Sequence, residues 1–90
     1  MKSERLGFVG VVIENHDSVK AANEILSAFG RMIRGRIGVP DCDNGVSVIG
    51  LIVNGSSDQL GAMTGRLGNL PGVQVKSALT AAKPAQKEEN

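Results

Sequence analysis

The chain of 90 residues has no tryptophan, no tyrosine, two phenylalanines, one cysteine and one histidine. Each shortage removes a class of function. Recognition of single-stranded RNA on a sheet relies on aromatic side chains that stack bases, and this sequence has almost none. One cysteine excludes an internal disulfide, in keeping with a reducing compartment. One histidine, with no Ser/His/Asp or Cys/His order around it, leaves acid–base or nucleophilic catalysis without partners, so a non-enzyme with no cofactor is expected. His16 and Cys42 stand in separate loops and fall short of the spaced ligand sets of zinc or copper sites. Asp41 and Asp43 flank Cys42, and their charges oppose a reactive thiolate.

Charge of one sign is also lacking. Ten Lys and Arg against nine Asp and Glu give a net charge of +1, with no general attraction for nucleic acid or an anionic membrane. No apolar run approaches the length of a membrane span, and Met1-Lys2-Ser3-Glu4-Arg5 is not followed by a signal-peptide apolar region, so a cytoplasmic protein is expected. Length and composition fit one domain over residues 1–80, followed by a polar, disordered tail over 81–90 (AAKPAQKEEN).

What the sequence does contain is regular. Leu6 to Glu14 (LGFVGVVIE) is a strand apolar on both faces, with Phe8 and Val12 on one and Val9, Val11 and Ile13 on the other. Asn15-His16-Asp17-Ser18 supplies N-cap chemistry for a helix from about Ser18, which buries Val19, Ala22, Ile25, Leu26 and Phe29 and stops at Gly30. Arg31 to Val39 alternates, with Ile33, Ile37 and Val39 on one side and Arg34 and Arg36 on the other, as in an edge strand. Arg34 and Arg36 form a basic stripe suited to an anion or an interface ion pair. Pro40 to Gly45 is a turn cluster, and Val46 to Val53 (VSVIGLIV) is a second strand apolar on both faces.

The segment Gln59 to Lys76 (QLGAMTGRLGNLPGVQVK) reads as a helix, its stop, a turn at Pro71-Gly72 and a last strand with Gln74 and Lys76 outward. Asn54-Gly55-Ser56-Ser57 caps this helix, and Asp58 suits its dipole. Leu60, Met63, Thr64 and Leu67 give it a core stripe, while Gly61, Gly65 and Gly68 fall along a neighbouring side. An interior glycine costs about 0.8–1.0 kcal/mol relative to alanine. Close approach by a helix, a subunit or a ligand is the compensation expected here.

The order βαββαβ is that of the ferredoxin-like α+β sandwich, with an antiparallel sheet of order 4-1-3-2 and two helices on one face. In that topology the first and third strands are central, which matches their apolar character on both faces. The helices cover one face only. The other exposes Val and Ile unless a partner covers it, so a homo-oligomer is expected. A charge placed at Ile49 or at Leu51 is a probe of which face is covered.

The run LGAMTGRLGNLPGVQVKS, the first strand with its short polar loop, and RIGVP ahead of the hairpin resemble the small iron-only hydrogenase system regulator family, from about Leu6 to Ser77. The resemblance implies an ACT-like domain, similar to the effector domain of the nickel-responsive repressor and assembled as a dimer or tetramer. It implies no catalytic residues, and the histidine-rich nickel site of that repressor has no counterpart here. ACT-like domains typically place ligands where the first loop and helix N-terminus meet a neighbouring subunit, where free backbone N–H groups attract anions. This nominates Asn15, His16 and Asp17, with Gly61, Gly65 and Gly68 as a further surface. The expected role is a non-enzymatic regulatory module, associated with an iron-only hydrogenase system, that binds a small effector or a partner protein without contacting nucleic acid or membrane. The alternatives are a metal-responsive transcriptional co-regulator without its own DNA-binding domain, and a structural oligomerisation module without a ligand.

Overall fold

The computed structural model describes residues 4–41 and 44–81. The elements are β1 (Arg5–Ile13), α1 (Val19–Ala28), β2 (Ile33–Asp41), β3 (Val46–Gly55), α2 (Ser57–Gly68) and β4 (Val73–Leu79). All strand pairs are antiparallel and the sheet order is β2-β3-β1-β4, as the βαββαβ pattern predicts. The expected tail over 81–90 lies, apart from Ala81, outside the described residues, as do Cys42 and Asp43 of the expected turn.

Alternation along the central strands decides where the core sits. Val9, Val11 and Ile13 of β1 and Ile49, Leu51 and Val53 of β3 face the helices and are buried. They meet Ala22, Ile25 and Leu26 of α1 and Leu60, Met63 and Leu67 of α2. Full burial of one such large aliphatic side chain contributes about 1.5–3 kcal/mol. Ile49 and Leu51, two residues apart, therefore share one face; the contrast between faces lies between Leu51 and Ile52.

The helix ends follow local chemistry. Ser56 caps α2: its hydroxyl accepts from the Gln59 amide at 3.1 Å, while Gln59 Oε1 accepts from the Ser56 amide at 3.1 Å. This capping box satisfies two otherwise unpaired donors. Thr64, partly buried beside the core stripe, turns its hydroxyl back to the Leu60 carbonyl at 3.0 Å. Before α1 the chain makes a 3-10 turn over His16–Ser18, so the α-helix begins one residue later than its cap pattern indicates. Gly30 does not end α1 through a left-handed conformation. Phe29 is the C-cap and Gly30 opens a second 3-10 turn, through Met32, that tucks Met32 into the core. The described glycines with positive φ are Gly45 and Gly72.

β2 departs most from its expected alternation. A bulge between Ile33 and Gly35 shifts the register, and the strand continues through Pro40 and Asp41 instead of turning there. An inserted residue reverses the parity of all that follows. Ile33 thus packs against the core, while Ile37 and Val39 emerge on the opposite, helix-free face and Arg36 pairs with the buried Leu51 on the helix side. Ile33, Ile37 and Val39 do not share a side.

The helix-free face is a grid of three rows set by the register: Gln74, Val12, Val48, Val39; then Lys76, Gly10, Gly50, Ile37; then Ala78, Phe8, Ile52, Gly35. The Phe8 ring leans over the glycine pair, so a Cβ at Gly50 would stand 2.9 Å from its edge. Two substitutions test this architecture by urea unfolding. Leu51→Ala is expected to lower the unfolding free energy by about 2–5 kcal/mol. Ser56→Ala is expected to lower it by about 1 kcal/mol.

Candidate functional site

The loop between β1 and α1 is built by its neighbour across the sheet. The Glu14 amide donates to the Gly72 carbonyl at 2.7 Å, and the Ser18 hydroxyl, buried, donates to the Pro71 carbonyl at 2.7 Å. Gln74 Nε2 adds a bond of 3.3 Å to Glu14 Oε1. Gly72 has φ +69°, and a Cβ there would lie 2.6 Å from Asn15 Cβ and 2.9 Å from its amide nitrogen. Glycine at this turn is thus required twice, by backbone conformation and by close approach.

Within the loop, Asn15 Oδ1 accepts from the Asp17 amide at 2.9 Å and the Asn15 carbonyl accepts from the Ser18 amide at 2.9 Å. The Val19 amide donates to the His16 carbonyl. These amides, expected to be free for an anion, are already engaged by the loop's own oxygens. What the loop presents outward is the exposed side chains of His16 and Asp17. They border a shallow depression along α1 that Lys20, Asn23, Glu24 and Ser27 continue. Asn23 also accepts a hydrogen bond of 2.7 Å from the Arg36 guanidinium, which ties β2 to this flank of α1.

The nominated residues therefore separate into groups. Asn15 shapes the loop, His16 and Asp17 face solvent at the depression, and Arg36 reaches its margin through Asn23. Arg34 is exposed at the bulge and does not line it. Gly61, Gly65 and Gly68 do not line it either: among the described residues, nothing beyond their own helix backbone and chain neighbours comes within 4 Å of a Cβ built at any of them. No described helix supplies their expected close packing. The side chains that sequence reasoning left out of the site are Lys20, Asn23, Glu24 and Ser27. Their spacing along one helix, beginning just after His16-Asp17, is the signal that joins them. Among the described residues no group of three or more His, Cys, Asp or Glu is placed to hold a metal ion. No helix among them is long and apolar enough to cross a membrane.

A family model for TM1266-like proteins, described as "Iron-only hydrogenase system regulator, putative", matches residues 5–77. Among solved structures, the uncharacterized protein TM1266 from Thermotoga maritima is similar over 87% of this chain and 99% of its own, with a TM-score of 0.81 and 28% identity. The ACT domain from the GTP pyrophosphokinase of Chlorobium tepidum covers 94% of this chain and 98% of its own at a TM-score of 0.58 and 17% identity. The apo form of CPII from Thiomonas intermedia K12, a nitrogen regulatory PII-like protein, covers 89% and 95% at 0.54 and 13%. These two share the fold with this chain. No functionally curated protein matches it.

Two glycine substitutions separate the roles described here. Gly72→Ala is expected to destabilise the chain by more than about 1 kcal/mol and to accelerate hydrogen exchange at the Glu14 amide, measured by NMR. Gly65→Ala, in open space on an exposed helix, is expected to stabilise it by about 0.5–1 kcal/mol in thermal unfolding.

Proposed function

Because this chain belongs to the TM1266-like family of iron-only hydrogenase system regulators, we propose that it is a non-enzymatic regulatory module of such a system. It binds a small effector at the loop that starts α1. Copies of the chain associate, and the effector lies where this loop of one subunit meets a neighbour. The observation that carries the reading is the combination of a rigid frame with outward polar groups. The Pro71-Gly72 turn pins Glu14 and Ser18, and His16 and Asp17 stand exposed over the depression along α1. A site of this kind loses little conformational entropy on binding, because its backbone is already ordered. That two proteins of this fold are an ACT domain and a nitrogen regulatory PII-like protein supports a regulatory role for the scaffold.

The amides of Glu14, Asp17, Ser18 and Val19 are engaged, so recognition falls mainly to side chains: the His16 imidazole and Lys20 ammonium as donors, and the carboxylates of Asp17 and Glu24 as acceptors. That mixture suits a small zwitterion or a nucleotide with both donor and acceptor groups better than a simple anion.

Thermal-shift measurements against amino acids, nucleotides and divalent metals test the reading. An effector at one hundred times its dissociation constant stabilises by about 2.7 kcal/mol, which raises Tm by roughly 10–20 °C in a domain of this size. One chemical class is expected to give such a shift, and His16→Ala and Asp17→Ala are each expected to reduce it strongly without lowering the Tm of the free protein. A flat response to all three classes overturns effector binding and leaves a structural module.

A further inference from the structure

On its helix-covered side the sheet is not filled to its β2 edge. Between α1 and the hairpin of β2 and β3 lies a cleft of about 250 Å³, with Ile13 and Ile49 at its floor and Val19 in its α1 wall. We infer that this cleft binds a small carboxylic acid with an apolar body, its carboxylate on Arg36 and its body over Gly38. The inference goes beyond the reading above: the place, the ligand class and the group that holds the charge all differ from those of the loop at His16 and Asp17.

Gly38 leaves the room. The register sets it opposite Ile49, two residues from Arg36 and on the same, helix-covered face of β2. Among the described residues, a Cβ there would meet Ile49 Cγ1 alone, at 4.0 Å, an ordinary contact. Its φ is not positive either, so a side chain is compatible with the backbone. Gly50 is the contrast: a Cβ there would stand 2.9 Å from the Phe8 ring, and packing excludes it. A glycine inside a strand weakens the strand and often marks a place where a ligand approaches closely. Ile13 and Ile49 belong to the core, so an apolar group laid over Gly38 extends the core's own contacts.

The polar groups of the cleft select the other end of the occupant. Arg36 Nη2 donates to Asn23 Oδ1 at 2.7 Å, from β2 to α1. This bond orients the guanidinium, leaves it further N–H donors, and leaves the Asn23 NH2 to donate as well. Ser47 adds a hydroxyl. All three can give hydrogen bonds, and among the described residues no Asp or Glu lines the cleft. The complement is an anion, and the planar fork of arginine matches a carboxylate with two parallel bonds. An amino acid would leave its ammonium without an acidic partner, and a phosphate dianion would meet a single cation. The volume lies below the roughly 300–1,000 Å³ of pockets for drug-sized ligands, which calls for a short acid of the size of benzoate or isovalerate.

Titration of the isotope-labelled full chain with benzoate and with isovalerate, followed through backbone amide NMR shifts, tests the assignment. Saturable shifts are expected at Asn23, Gly38 and Ile49, with benzamide, valine and inorganic phosphate each weaker by at least about 10-fold, the worth of one charge-assisted hydrogen bond. Arg36→Gln is expected to weaken benzoate by about 10-fold or more, and Arg36→Lys by less, because it keeps the charge without the fork. Gly38→Val puts a branched side chain into the cleft and is expected to abolish binding while keeping or raising the Tm of the free protein. The Arg36 variants carry the test should Gly38→Val fail to fold. Absence of saturable shifts with either acid, shifts confined to residues outside the cleft, or undiminished binding by Gly38→Val or Arg36→Gln overturns the inference. Benzamide or phosphate binding as tightly as benzoate overturns the ligand class, and loss of benzoate binding in His16→Ala overturns the location by moving the acid to the loop.

Discussion

Two helices cover one face of a sheet, and the central strands of this sheet are apolar on both. That imbalance governs the molecule. Burial of Val9, Val11, Ile13, Ile49, Leu51 and Val53 under α1 and α2 supplies the core, and the same alternation commits Phe8, Val48 and Ile52 to the uncovered side. A sequence that only had to fold as an isolated chain would place Thr, Lys or Gln at those positions, as β4 does with Gln74 and Lys76. The apolar choice on β1 and β3 is therefore not a requirement of the monomer's core.

Most of the architecture could be read from residue patterns because the signals were local and agreed with one another. Alternation identified the central strands, the caps at Asn15 and Ser56 preceded the helices, and Pro71-Gly72 marked the turn into β4. β2 was less legible. Its bulge between Ile33 and Gly35 arises from pairing with β3, and a register shift between strands leaves no periodic trace in the strand that carries it. Ile37 and Val39 do lie opposite Arg36, as read; the bulge is why Ile33 was wrongly placed on their side. Gly30 does stand just past the end of α1, as read, but without the left-handed conformation such a stop usually takes: the chain continues through it into a 3-10 turn that buries Met32.

The candidate site was legible in part. The polar loop after a buried strand was found from sequence, but the state of its amides was not, because Asn15 Oδ1 and the His16 carbonyl turn back on the loop only in three dimensions. The depression along α1 adds Lys20, Asn23, Glu24 and Ser27, residues that pattern reading treats as a solvated helix face. The glycines of α2 stood out in sequence and meet nothing in the fold. Their conformational cost is real, and the described packing of this chain does not offset it.

The Pro71-Gly72 turn has a mechanical consequence. Its two carbonyls receive the Glu14 amide and the Ser18 hydroxyl, so the threshold of α1 and the first residues of β4 move as one body. β4 borders the sheet and lends Gln74 and Lys76 to the rim of the apolar face. A tug on His16 or Asp17 is thus inherited by a marginal strand, which makes the loop a lever whose far arm ends at the border of the sheet.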